Sequence, residues 1–203
     1  MTSLLYTETN FLMSYATGRD VATVSLGLEL PPSVRLVIPG FCFMEAFSIL
    51  ETERKRHNRS IDGLESEIRQ AERNVVSPLA KDLAGHLQRS VVAIRAVFND
   101  FEARLLQIAE TLCDTAVLID RTSDALRRSL RDPWIDDPTD NLILAAVLVH
   151  AGDHPSESKS FLSENRKCFH ENLDARAALQ SAGVKYFADP SKCLEWLRAQ
   201  PES

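Results

Sequence analysis

Short apolar segments alternate with helical sequence along most of this chain, and this alternation restricts the fold more than any other feature. The first apolar segment, 4–6, leads through a polar stretch into helical sequence. The second, 35–38, is stopped by Pro39-Gly40 and followed by helical sequence from Phe41 to about Arg56. A strand that is followed by a helix and then by a second strand is typical of a parallel sheet with right-handed crossovers. Further strands are predicted at 116–119, 160–163 and 184–187.

The middle of the chain has a different pattern. Apolar residues between 87 and 112 recur in alternating steps of four and three, which gives a 3.5-residue period. The same spacing between 61 and 75 follows an N-cap signal, Asp62-x-x-Glu65. We therefore predict two long amphipathic helices over 60–114 that pack on each other as a hairpin. An inter-subunit coiled coil is the alternative. The prediction is a single α/β domain, 1–203, with this hairpin inserted in it.

Composition narrows the class of protein. Hydrophobic residues make up 44% of the 203 residues and charged residues 26%, which excludes disordered and collagen-like chains. Neither a signal peptide nor an apolar run long enough for a membrane span is recognisable, so the expectation is a soluble cytoplasmic protein without membrane contact. The net charge of −6 argues against holding nucleic acid by overall charge, although a local basic patch is compatible with it.

Three acidic residues follow predicted strands. Glu8 comes directly after the first strand, Glu45 lies in the first turns after the second, and Asp140 lies in the first turn of a helix opened by Asp137-Pro138. Because ligands of parallel sheets bind outside the carboxyl ends of the strands, these side chains are expected at one edge of the sheet. Mg²⁺ and Mn²⁺ bind carboxylate oxygens, so the pattern indicates a divalent metal site.

Each of these acids also has a structural explanation. Glu8 alone is compatible with a turn residue, and an acid at Asp140 is favoured by capping and by the helix dipole. Glu45 is the only ionisable side chain in the apolar segment 41–47. It therefore either points to solvent or finds a metal or an ionic partner, because burying an unpaired charge is costly.

The segments around these acids occur in a recognisable order. The opening segment, Tyr6-Thr7-Glu8-Thr9-Asn10-Phe11-Leu12, resembles the first motif of the PIN-domain ribonucleases, in particular the PIN-like branch with ETNF in place of DTN. The resemblance covers about 1–57 and 116–199. The later segments that resemble family motifs are 44–46 with the second acid, 139–146 with the third, 161–169 as the fourth motif, and 183–187 as the closing strand.

The resemblance implies a three-layer α/β/α fold whose acidic pocket binds Mg²⁺ or Mn²⁺ and cuts single-stranded RNA. It implies that Glu8, Glu45 and Asp140 are metal ligands and catalytic residues, with Asn165 at the fourth catalytic position. Glu8 stands where most members have Asp. Asn165 replaces the fourth acid and Cys168 the Asp of an Asp-Phe pair, so the pocket carries fewer negative charges than is usual in the family.

Other polar residues are candidates for supporting roles. Thr9, Asn10 and Ser163 are predicted to orient the acids, with helix capping as the alternative. A basic cluster follows Glu45 on the same helical segment and is a candidate for contacting RNA phosphates. A solvated helix end explains this cluster equally well. Its residues are Arg54, Lys55, Arg56 and Arg59.

These observations lead to one preferred function and two alternatives. The preferred function is a divalent-metal-dependent endoribonuclease that hydrolyses phosphodiester bonds of single-stranded RNA. The first alternative is a catalytically reduced PIN-like module that binds RNA or a protein partner, with the 60–114 helices as its interface or as a homodimer contact. The second is the toxin of a toxin–antitoxin pair. The replacement of two acids by Asn165 and Cys168 favours the first alternative over full activity.

Overall fold

A computed structural model describes residues 2–120 and 122–200. Within them the chain forms a five-stranded parallel sheet in the order β3-β2-β1-β4-β5. The predicted α/β class and the parallel sheet are thus confirmed. The strands are β1 (Ser3–Thr7), β2 (Val34–Pro39), β3 (Val117–Ile119), β4 (Ser158–Leu162) and β5 (Val184–Phe187).

The central strand, β1, is buried along its whole length. It pairs with β2 on one side, Tyr6 opposite Val37, and with β4 on the other, Tyr6 opposite Phe161. A strand that is covered on both faces needs a nearly continuous apolar run, which the segment Leu4–Tyr6 supplies.

The helices connect the strands and pack in two groups. The first group joins α2 to both α1 and α9, and the second joins α6 to both α5 and α8. This division is compatible with a three-layer α/β/α arrangement. The helices of the described residues are α1 (Thr9–Thr17), α2 (Val21–Leu28), α3 (Phe41–Arg73), α4 (Pro78–Thr115), α5 (Thr122–Arg131), α6 (Pro138–Gly152), α7 (Arg166–Phe169), α8 (Leu173–Ser181) and α9 (Pro190–Arg198).

Helix boundaries follow the local signals in the sequence. Asp137 caps α6 and Asp189 caps α9, and in both helices a proline occupies the first position. Gly183 follows α8 with a φ of 70°, a left-handed conformation that favours glycine and turns the chain into β5. No helix within residues 2–120 and 122–200 combines the length and apolar character that a membrane span requires.

The chain divides into two compact units. One comprises the residues up to Ala46 and from Gln107 onward, and the other is the helical unit Phe47–Leu106. In the helical unit α3 and α4 pack through buried side chains of both helices, including Ile61, Ile68 and Val91. The predicted packing of two amphipathic helices is therefore intramolecular. The predicted apolar series ends early, because Val75 lies in the turn after α3 and is exposed.

The predicted helix start near residue 60 is wrong. α3 continues without a break from Phe41 to Arg73, so Asp62 and Glu65 are interior helical residues rather than a cap. The segment before residue 60 contains neither proline nor glycine and is rich in residues that favour helix. Ion pairs one turn apart, such as Arg56–Glu53, further support the continuous helix.

Candidate functional site

A crevice for ligands is expected where the sheet reverses its winding. The chain leaves β1 toward β2 and leaves β4 toward β5, in opposite directions across the sheet. In open parallel sheets such a switch point opens a crevice at the carboxyl ends of the two strands. Glu8 directly follows β1 and Ser163 directly follows β4, so both lie at this point.

Glu8 is held in place from two sides. Its carboxylate caps α1 by accepting a hydrogen bond from the backbone N–H of Asn10, at 2.7 Å. The Ser163 hydroxyl donates to the other oxygen, Oε1, at 2.9 Å. The side chain of Glu8 is buried, with an exposed fraction of 2%. Capping and orientation, which the sequence left as alternatives, are therefore combined in one residue.

Ser163 connects Glu8 to Asp140. The backbone N–H of Asn165 donates to Ser163 Oγ at 3.1 Å. The side-chain amide of Asn165 donates to Asp140 Oδ2 at 2.9 Å. Glu8, Ser163, Asn165 and Asp140 thus form one hydrogen-bonded chain, although they are far apart in the sequence.

Glu45 joins the same region through Thr9. The Thr9 hydroxyl donates to Glu45 Oε2, and Thr9 itself is the neighbour of Glu8 in the chain. Glu45 is half-buried, so it does not point freely to solvent. The structure therefore brings together all three predicted acids and the side chains of Thr9 and Ser163. Asn10 contributes its backbone N–H.

The charge of this cluster is only partly compensated. Burial raises the pKa of the Glu8 carboxyl from 4.5 to about 7; the hydrogen bonds from Asn10 and Ser163 lower it, and the nearby Asp140 and Glu45 charges raise it. Burial likewise raises the pKa of Asp140, against the lowering effect of hydrogen bonds from Cys168 and Asn165. Within residues 2–120 and 122–200, no ion pair joins Glu8, Glu45 or Asp140 to a basic side chain.

The chemistry of these donors fits a hard divalent cation. Three carboxylates without a basic partner, at the crevice of a parallel sheet, are the oxygen ligands that Mg²⁺ and Mn²⁺ prefer. In the part of the chain that the structure describes, however, no three Asp, Glu, His or Cys side chains are grouped closely enough to hold an ion. The carboxylates are instead hydrogen-bonded to the neutral side chains of Thr9, Ser163 and Asn165.

Two residues at positions where the resembling family has acids act on Asp140. Asn165 donates its amide to Asp140, and the Cys168 thiol is also hydrogen-bonded to it. Burial and this hydrogen bond raise the pKa of Cys168 to about 11, so the thiol is protonated at neutral pH. Two neutral donors therefore surround Asp140 where further negative charges were the alternative.

Sequence reasoning missed two neighbours of the cluster. The Tyr186 hydroxyl donates to the backbone carbonyl of Ser163 at 2.7 Å. The buried Cys42 thiol is hydrogen-bonded to Thr9, and burial raises its pKa. The position of Tyr186 near the end of the last predicted strand is a usable signal in retrospect. Cys42 had none, since a cysteine on an apolar helical segment reads as a core residue.

The basic cluster of α3 is largely paired within the helical unit. Arg54 forms ion pairs with Glu51 and Glu102, and Lys55 also pairs with Glu51. Arg56 pairs with Glu53, and Arg59 donates to the backbone carbonyl of Lys55. The cluster is therefore not a row of unpaired cations, which weakens the argument for phosphate contacts there. RNA binding by these residues stays a prediction.

Comparison of the chain with protein-family models, with curated proteins and with solved structures gave no match.

Proposed function

We propose that this protein is a PIN-like endoribonuclease that hydrolyses phosphodiester bonds of single-stranded RNA with Mg²⁺ or Mn²⁺. The observation that carries the proposal is Glu8: a buried carboxylate at the switch point of a parallel sheet, linked to Asp140 and close to Glu45, with no basic partner among residues 2–120 and 122–200. A buried carboxylate with a raised pKa at a crevice is characteristic of a functional site. A purely structural acid would instead be expected to have an ionic partner.

Glu8, Glu45 and Asp140 would hold the cation. A bound divalent ion supplies charge neutralisation for the phosphate and lowers the pKa of water at the site. The chain's own polar groups fix the direction of each carboxylate. Ser163 orients Glu8, Thr9 orients Glu45, and Asn165 orients Asp140. Such second contacts keep ligand carboxylates in one conformation, and losing one typically lowers affinity or activity about 10- to 100-fold.

The proposal is tested by RNA cleavage with a matched pair of variants. Purified protein is incubated with labelled single-stranded RNA and Mn²⁺, and products are separated by gel electrophoresis. Asp140→Asn is expected to reduce cleavage about 100-fold or more, because it removes a ligand charge. The control is Asp136→Asn, which makes the same change at an exposed acid of the neighbouring loop and is expected to leave cleavage intact. Cleavage that survives EDTA or Asp140→Asn contradicts the proposed mechanism.

A second candidate function is a PIN-like module that binds RNA without cutting it. The observation that favours it is the pair of neutral donors, Asn165 and Cys168, hydrogen-bonded to Asp140. Fewer negative charges mean weaker attraction for a second cation, which phosphodiester hydrolysis often uses. Binding of RNA without cleavage under any metal condition would favour this function over the first.

A further inference from the structure

Two clefts lie on the sheet-containing unit beside the edge strand β5. One has a volume of about 690 Å³ and reaches from the β4 end at Glu164 to the start of α9. The other has a volume of about 430 Å³ and runs along α8 and β5. Both volumes lie within or close to the range of ordinary ligand sites. Neither cleft is used by the acidic cluster itself.

The two clefts share an aromatic ridge. His170 and Tyr186 line both of them. Their rings are stacked, with centroids 5.7 Å apart and planes inclined by 25°. Both residues are only half-buried, so part of the ring pair faces the clefts. A flat, partly exposed ring pair is a surface on which a nucleobase can stack, and such stacking tolerates any base.

Basic side chains lie on both sides of this ridge. Arg166 and Lys192 line the larger cleft and Arg176 lines the smaller one. All three are exposed, and none forms an ion pair with an acid of the described residues. Unpaired exposed cations are unusual here, because the chain as a whole carries a net charge of −6. The smaller cleft has no acidic residue among the described residues that line it.

The acids of the larger cleft are already engaged. Asp20 caps α2 and Asp189 caps α9, so their charges face the positive ends of two helices. Glu164 accepts a hydrogen bond from Ser14. These acids therefore repel a ligand less than free carboxylates would, while the basic side chains remain available.

The ridge is connected to the acidic cluster. Tyr186 donates to the carbonyl of Ser163, and the hydroxyl of Ser163 donates to Glu8. A strand with a base on the ridge would thus have its neighbouring phosphate close to the crevice. This places a single-strand path beside the proposed catalytic carboxylates.

We propose that the ridge of His170 and Tyr186, with Arg166, Arg176 and Lys192, binds a single strand of RNA. One base stacks on the ridge, and phosphates on either side of it contact the basic side chains. This inference rests on the proposed function, since it assigns the substrate path of the same site. The paired basic cluster of α3 is not needed for it.

The test measures binding without cleavage. Binding of a fluorescent single-stranded RNA to the full chain is followed by fluorescence anisotropy in EDTA at several salt concentrations. Arg166→Ala with Arg176→Ala removes one cation from each side of the ridge. The slope of log affinity against log salt is expected to become shallower by about 1.4, from about 0.7 per lost phosphate contact of a single strand. The control, Arg69→Ala with Arg73→Ala, removes the same charge from exposed positions of the helical unit and is expected to leave the slope unchanged.

A second variant tests stacking apart from charge. His170→Ala is expected to weaken binding about fivefold or more with little change in the salt slope, because it removes ring surface. Circular dichroism of each variant verifies that it is folded. Equal weakening by the control pair, or no binding by the wild type, overturns the inference. Cleavage by a wild type whose ridge variants bind normally overturns the inference and leaves the proposed function standing. Ridge-dependent binding without cleavage under any metal condition does the reverse.

Discussion

The free energy of unfolding should depend on pH through Glu8. The Glu8 carboxyl has a pKa of about 7 in the folded protein, against 4.5 when it is exposed. Between these values the folded state holds a proton that the unfolded state has lost, so stability falls as pH rises. The difference of about 2.5 pKa units corresponds to about 3 kcal/mol, fully present below pH 4.5 and lost above pH 7 in the absence of metal.

Glu8→Gln isolates this contribution. The glutamine amide can accept from the backbone N–H of Asn10 and donate to Ser163, so both contacts of Glu8 have a counterpart. The variant should therefore lose less stability than the wild type between pH 5 and pH 8 in EDTA. Glu110→Gln, at an exposed helical position, serves as the control and should titrate like the wild type.

Urea unfolding followed by tryptophan fluorescence measures the effect. Both tryptophans, Trp134 and Trp196, belong to the sheet-containing unit, so their signal reports the unit that contains Glu8. At pH 8, Mn²⁺ should stabilise the wild type more than Glu8→Gln, because a ligand that binds only the folded state stabilises it. Identical pH profiles for the wild type and Glu8→Gln would refute the assignment of an uncompensated charge to Glu8.

Two further substitutions test the surroundings of the site and the core. Asn165→Asp replaces the amide that donates to Asp140 by a like charge, so in EDTA at pH 8 it should lower stability by about 1–3 kcal/mol, and Mn²⁺ should restore more stability than in the wild type. An unfolding midpoint that stays unchanged with and without Mn²⁺ would contradict this. Leu144→Ala empties a fully buried position of α6 and should cost about 2–5 kcal/mol in the same unfolding assay, whereas Leu173→Ala, at an exposed position, should cost far less.

Much of the fold could be predicted from local patterns. Each predicted strand corresponds to an observed one within one or two residues at either end, because a buried parallel strand needs a short continuous apolar run. The caps at Asp137 and Asp189 were also readable, since capping depends on residues within one turn. The continuity of α3 was not, because a capping signal inside a helix looks the same as one at its start.

The candidate site was predictable only as a set of residues. The positions of Glu8, Glu45 and Asp140 after strands or at helix starts indicated one edge of a sheet. The hydrogen bonds between them depend on neighbours far away in sequence: Ser163 on Glu8, and Asn165 on Asp140. The same limit applies to the basic residues, since pairing between Arg54 and Glu102 joins two different helices.

The sequence by itself determined where strands and helices form and which acids follow the strands, because these features depend on residues a few positions apart. Only the tertiary structure decided the order of the strands, the switch point between β1 and β4, and the protonation of Glu8. The physical reason is that burial and electrostatic interactions depend on distances in space. Those distances are set by the packing of segments that lie more than a hundred residues apart.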